Sequence, residues 1–150
     1  MRTFDATLHN QIAAHPEVAP MLGYDRVGGQ PIDFAELAAE PDYFVLLTNG
    51  EDACMVFELS APFTWQMHTL FAPTCRGRRA ITTAKGMIRY MLTTQGALMV
   101  WGMTPVDNRA ARLFNRWLGA TSVGIKPHAF MGDVEWFCGL GPEWLANNPT

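Results

Sequence analysis

The chain has 150 residues, 49% of them hydrophobic and 17% charged, with a formal net charge of −3. This length and apolar content specify one folded domain, 1–150, and exclude a disordered chain. The acidic balance excludes extended nucleic-acid contact, which calls for a basic surface.

Residues 5–15 carry Leu8, Ile12 and Ala13 at the spacing of one helical face. Pro16 closes that helix or opens a second short one over 17–22. Residues 23–30, with Gly28-Gly29, read as a turn, and 32–39 as another short helix with Asp33 as N-cap. The apolar run 43–48 ends on Asn49-Gly50 and is followed by 53–59, the pattern of a hairpin. After the Ala61-Pro62 break, 63–71 supplies a third strand and completes a meander. Residues 77–94 form the longest helix, with Ile81, Ala84, Met87, Ile88, Met91 and Leu92 on its apolar face. Beyond Gly96, 97–103 is apolar throughout, as in a strand covered on both faces. A helix over 108–118 buries Ala111, Phe114 and Leu118 and stops at Gly119. Strands 121–130 and 134–140 meet at Gly132-Asp133, and 141–150 is a tail, polar apart from Trp144 and Leu145. Helices thus occupy 1–41, and the sheet with two longer helices 42–140. The order predicts an α+β fold, with a mixed central sheet of about six to seven strands flanked by helices.

Cys54, Cys75 and Cys138 form no CxxC pair, so neither a disulfide framework nor a metal site is expected. Free thiols fit a cytoplasmic location. The stretch MRTFDATLHNQIAAHPEVAP holds no continuous apolar segment, and no run approaches the ~20 residues of a membrane helix. Neither a leader nor membrane contact is expected.

The turn 72–80 joins a strand to the long helix. Such a junction aims free backbone N–H groups outward at the positive end of a helix dipole, which makes an anion site. Arg76, Arg78 and Arg79 add charge, and guanidinium matches phosphate geometry. These arginines oppose the dipole, a conflict that a bound anion removes; a solvated basic turn is the plainer alternative. Asn108 sits where an N-cap belongs, and Arg109, Arg112 and Arg116 share one stripe, the pattern of a solvated face. Histidine is suited to proton transfer near neutrality, and His68 lies on the strand feeding the loop. It is the base candidate, and a hydrogen-bonded sheet histidine is the alternative. Glu58, one strand earlier, is a weaker second. Cys75 lies beside a basic helix start, a setting that lowers thiol pKa, but no partner histidine is placed by the sequence and a bystander is the plainer reading. His9, His15 and His128 stand apart from any cluster.

Two segments together carry a resemblance. The order is a strand, x-Pro-x-x-Arg-Gly, a helix and an apolar strand, then Asn-x-x-Ala-x-x-Phe-x-x-x-x-Gly and a strand. It resembles the two signature motifs of the GNAT superfamily of acyl-CoA-dependent N-acyltransferases. Stretches 15–18 (HPEV), 67–77 (MHTLFAPTCRG) and 101–120 (WGMTPVDNRAARLFNRWLGA) are similar to those of small members encoded by phages and prophages. The resemblance spans most of the chain and is densest over 67–120. It implies acetyl-CoA, or another acyl-CoA, as cosubstrate. The pyrophosphate would lie on Arg76, Gly77, Arg78, Arg79 and Ala80. The pantetheine would run along Leu70, Phe71 and Ala72, between two strands that splay apart, with Asn108 near the cofactor. The implied reaction is direct attack of an amine on the thioester. A base such as His68 takes the amine proton, and an acid serves the thiolate. The acceptor is an amine on a small molecule or a protein.

The chain departs from the motif in three places. Arg79 and Ile81 stand where small residues let backbone approach phosphate. Asn115 stands where a tyrosine often acts as acid. Ala120 stands where an aromatic commonly follows the motif glycine. Two other readings follow: a catalytically silent GNAT-fold phage protein with a structural or host-interaction role, and a nucleotide or polyanion binder using the arginine cluster. A homodimer would account for exposed aromatic residues.

Overall fold

The computed structural model describes residues 1–22 and 31–150, so the expected turn at 23–30 lies outside the described residues. In chain order the elements are β1 (Arg2–Thr3), α1 (Thr7–Ala13), a 3-10 turn (Ala19–Leu22), α2 (Phe34–Ala38), β2 (Phe44–Thr48), β3 (Ala53–Ala61) and β4 (Thr64–Phe71). They continue with α3 (Gly77–Thr93), β5 (Met99–Pro105), α4 (Arg109–Trp117), β6 (Thr121–His128), β7 (Gly132–Leu140) and α5 (Pro142–Asn147). The sheet has seven strands in the order β1-β2-β3-β4-β5-β7-β6. Its pairs are antiparallel except β4 with β5, which are parallel. This is the mixed, helix-flanked sheet that the element order predicts.

Strand alternation sends successive side chains of β2 and β3 to two different cores. Val45, Leu47, Met55 and Phe57 face α3, which meets them with Ala84, Met87, Ile88 and Met91. Leu46, Cys54 and Val56 face the other way, against Ile12 of α1 and Phe34 and Ala38 of α2. Each such large apolar side chain contributes roughly 1.5–3 kcal/mol when fully buried. The meander is therefore a rigid slab covered on both faces.

Several expectations change. Arg2–Thr3 adds a first strand, paired to Leu46 and Leu47, which two residues without periodicity do not announce. In place of a helix over 17–22 there is a 3-10 turn, Ala19–Leu22. The apolar strand runs Met99–Pro105 rather than 97–103, and its burial alternates: Val100, Gly102 and Thr104 are buried, Met99, Trp101 and Met103 half-buried. It is covered on one face, not two. The tail is anchored. Trp144 in α5 is buried, and its indole nitrogen donates to the Leu118 carbonyl at 2.7 Å. Gly119 (φ 92°) passes so close that an added Cβ would lie 3.0 Å from that nitrogen.

Candidate active site

The parallel pairing of β4 with β5 covers only Thr64↔Met99, Trp65↔Val100 and Gln66↔Trp101. β5 carries a register shift between Val100 and Gly102 where it pairs with β7, and such a bulge bends a strand. From there β4 continues along β3 to Phe71, while β5 follows β7 to Pro105. The two strands part. Gly102 stands at the fork, where an added Cβ would lie 3.4 Å from Met67 Cε.

A cavity of about 420 Å³ opens on the α4 side of this fork, bounded by Thr69, Phe71, Gly77, Asn108, Phe114 and Trp117. A smaller recess of about 180 Å³ continues through the fork, with Met67, His68, Gly102, Met103, Thr104 and Asn115 on its walls. Thr69, Asn108, Ala111 and Phe114 border both spaces, so the two form one cleft from the start of α3 to the far face of the sheet. Leu113 and Trp117, with 45% and 58% of their surface exposed, make its outer rim apolar.

At the α3 end, Gly77 has φ 63° and open space where a Cβ would stand. No capping side chain serves the first turn of α3, and no acidic residue lies in it, so its N–H groups face outward as an anion site requires. The arginines divide their tasks. Arg76 folds back, its Nη1 donating to the carbonyls of Phe71 and Ala72 at 2.9 Å and of Cys75 at 3.1 Å. Arg79 is held by Asp52, to which it donates from both terminal nitrogens, and by Glu51 at 3.3 Å. Asp52 also accepts from Thr74 Oγ1 at 2.8 Å and from Asn49 Nδ2 at 2.9 Å. The Arg79 guanidinium, with these other donors, holds the Asp52 carboxyl well below its ordinary range. Two of the three arginines thus brace the loop, and Arg78 is exposed. Cys75 is fully buried, and burial together with the nearby Asp52 pushes its thiol pKa up, as suits a bystander rather than a reactive thiol. Leu70 is buried on the α1–α2 side of the sheet, and Ala72 packs at the edge of that same core.

Asn108 caps α4, its Oδ1 accepting from the Ala111 N–H at 3.1 Å. The expected buried face of α4 is rotated: Asn115 and Leu118 are buried, and Ala111 and Phe114 are half-buried. Asn115 Nδ2 donates to Thr104 Oγ1 at 3.0 Å. The stripe Arg109, Arg112 and Arg116 is not merely solvated. Arg112 and Arg116 converge on buried Glu135 of β7, with Nε to Oε1 at 2.8 Å and Nη2 to Oε2 at 2.6 Å. Ser122 adds a third donor at 2.7 Å. Arg116, with these partners, lowers the Glu135 pKa to about 2.

His68 lies on the sheet face opposite α4. Its Nε2 is 3.4 Å from Glu58 Oε2, and both side chains are nearly half exposed. His68 depresses the Glu58 pKa. The two base candidates of the sequence are thus one exposed pair, and His68 also lines the smaller recess. Trp101 and Trp136 stack nearby in the sheet, 4.9 Å between centroids and 2° between planes, and Trp101 donates to Ser60 Oγ at 2.8 Å. His9 is elsewhere, fully buried on the inner face of α1. His15 caps its own turn, accepting from the Glu17 N–H, and His128 accepts from the N–H groups of Phe130 and Met131. Sequence reading missed Asp52, Gly102, Thr104 and Glu135. Asp52 had one signal, its place in the turn closing the β2–β3 hairpin.

No protein-family model and no curated protein matches the chain. Solved structures do. The spermidine N-acetyltransferase of Vibrio cholerae, in complex with CoA and spermine, superposes with a TM-score of 0.74 at 13% identity, over 97% of this chain and 96% of that one. Aminoglycoside acetyltransferase AAC(6')-Ib, in complex with coenzyme A, gives 0.74 at 9% identity, over 100% and 96%. The ribosomal-protein-S5-alanine acetyltransferase of Vibrio fischeri gives 0.58 at 10%, over 73% and 68%.

The chain has the GNAT fold. At these identities the likeness carries the fold, and the site rests on this chain's own residues.

Proposed function

We propose that the protein is an acyl-CoA-dependent N-acyltransferase, in the first instance an N-acetyltransferase acting on an amine. One observation carries this reading: a continuous cleft joins an uncapped helix start, an anion site, to a forked strand pair with His68, itself paired to Glu58, on its far wall. A long donor with a phosphorylated end and a reactive thioester end fits that sequence of surfaces. Two of the structural neighbours are complexes with coenzyme A, which supports the same donor.

In this reading the pyrophosphate sits on the backbone N–H groups of Gly77, Arg78, Arg79 and Ala80. Arg78 supplies free charge, while Arg76 and Arg79 hold the loop in shape. The pantetheine lies in the fork against the Leu70, Phe71 and Ala72 backbone, with Asn108 at its flank. The amine enters from the opposite face, where His68, with Glu58 beside it, takes the proton from the attacking nitrogen. Kinship with small phage- or prophage-encoded members rests on the stretches 15–18, 67–77 and 101–120 alone. A cytoplasmic site of action and a homodimer remain part of the proposal.

The experiment is thermal unfolding with and without acetyl-CoA, followed by an acetyl-transfer screen across polyamines, aminoglycosides and N-terminal peptides. Ligand at 100 times its dissociation constant stabilises by about 2.7 kcal/mol. No shift at millimolar acetyl-CoA would remove the reading. The structural neighbours include a spermidine N-acetyltransferase and an aminoglycoside acetyltransferase, which is why those classes head the screen.

A further inference from the structure

On the reading that the cleft takes an acyl-CoA, we infer that Thr104 donates its hydroxyl hydrogen to the sulfur of the departing CoA, with Asn115 as the residue that turns it there.

Thr104 and Asn115 are each 6% exposed, and both line the recess beyond the fork. The Asn115 amide donates to Thr104 Oγ1 at 3.0 Å. A hydroxyl has one hydrogen and two acceptor positions. The amide fills an acceptor position, so the Thr104 hydrogen is left to point away from Asn115. Among the described residues no acceptor meets it, although buried donors are almost always paired. A donor held by a partner, buried and facing a recess, is completed by a ligand.

The chemistry supplies the acceptor. As the amine nitrogen bonds to the thioester carbon, the C–S electron pair passes to sulfur, and the ammonium proton leaves to the base on the His68 side. A thiolate then forms on the α4 side. Threonine is far too weak an acid to protonate it, but its O–H stabilises the charge by a hydrogen bond. The thiolate takes its proton from solvent as CoA leaves. Asn115 occupies the position where the resemblance places a tyrosine acid, so here the position works indirectly, through Thr104.

The test uses CoA and needs no acceptor. The thiol of bound CoA is titrated by its ultraviolet thiolate absorbance. Enzyme bound to desulfo-CoA serves as the blank, cancelling Cys54, Cys75 and Cys138. In Thr104→Val the bound thiol should titrate about one pH unit or more higher than in the wild type, because a hydrogen bond to the charged form is lost. Thr104→Ser should titrate with the wild type, and CoA affinity at a pH where the thiol is neutral should be unchanged. Should Thr104→Val not fold, Thr104→Ala carries the same expectation. Coincident titrations of wild type and the valine or alanine variant overturn the assignment to Thr104. Failure of the wild type to bind CoA overturns the reading of the cleft itself.

Discussion

Arg79 grips Asp52 with both ends of its guanidinium, Nη2 meeting Oδ1 at 2.8 Å and Nη1 meeting Oδ2. The pair ties the β2–β3 hairpin to the loop that opens α3, across 27 residues of sequence. A side chain that seemed free to meet a phosphate thus holds the backbone that would do so.

Asp52→Ala should lower the urea midpoint clearly, whereas Glu51→Ala, which removes only an exposed partner, should barely move it. Acetyl-CoA affinity should fall in Asp52→Ala as well, because the loop loses its ties through both Thr74 and Arg79 at once. Equal midpoints for the two variants would contradict the role given to Asp52.

Glu135 gives the protein an acid-sensitive joint. Its pKa in the fold is about 2, against an ordinary 4.5. A depressed carboxyl pKa contributes stability that is fully present above the unfolded value and is lost as pH falls through the folded one. Wild-type stability should therefore decline from about pH 4.5 toward pH 2. Glu135→Gln should be less stable at neutral pH by roughly 1–3 kcal/mol. It should lose less on acidification, so that the two curves converge near the acid end. Denaturant unfolding across that range measures both.

Gly102 should be intolerant of side chains for a functional reason. Gly102→Val places methyl groups in the fork beside Met67, whose flexible end sits 3.4 Å from the new Cβ. The fold should survive, since Met67 can shift, but acetyl-CoA binding should weaken by more than about tenfold, which is 1.4 kcal/mol. Calorimetric titration of the variant decides it.

Asn108→Ala should cost about 1 kcal/mol through loss of the α4 cap. Asn108→Asp keeps a capping oxygen and should keep most of that stability, yet it sets a negative charge beside the cleft and should weaken binding of an anionic donor. Chemical denaturation and acetyl-CoA titration, run on both variants, separate cap from site.

Thiol reactivity should follow burial. Burial raises the Cys54 pKa to about 11 and also raises that of Cys75. Cys138 is only half-buried. Native protein in mildly alkaline buffer should release one prompt equivalent of thiol to an aromatic disulfide reagent, and Cys138→Ser should abolish it.

Local signals made much of this legible. The strand–loop–helix at 63–94 and the cap at Asn108 are written in contiguous residues with clear periodicity, and they appear where expected. What sequence could not show were partners brought together by the sheet. Arg79 finds Asp52, and Arg112 and Arg116 find Glu135, only after β3 and β7 take their places. The bounds of β5 were obscure because 97–103 is apolar without alternation, so its face and its bulge had no periodic trace. β1 is too short to have a period at all.

The short β4–β5 pairing also has a consequence for the order of assembly. β1 to β4 contact their neighbours in sequence and can close early. β5 has three residues of purchase on β4 and gains its other wall only from β7, and α4 is locked when Trp144 reaches the Leu118 carbonyl. Long-range closures of this kind come late in folding. The first half of the chain can therefore pair before the cleft gains its second wall. Until β5 arrives, the stretch Thr64–Gln66 is open along with the rest of the β4 edge, to any chain able to pair with it.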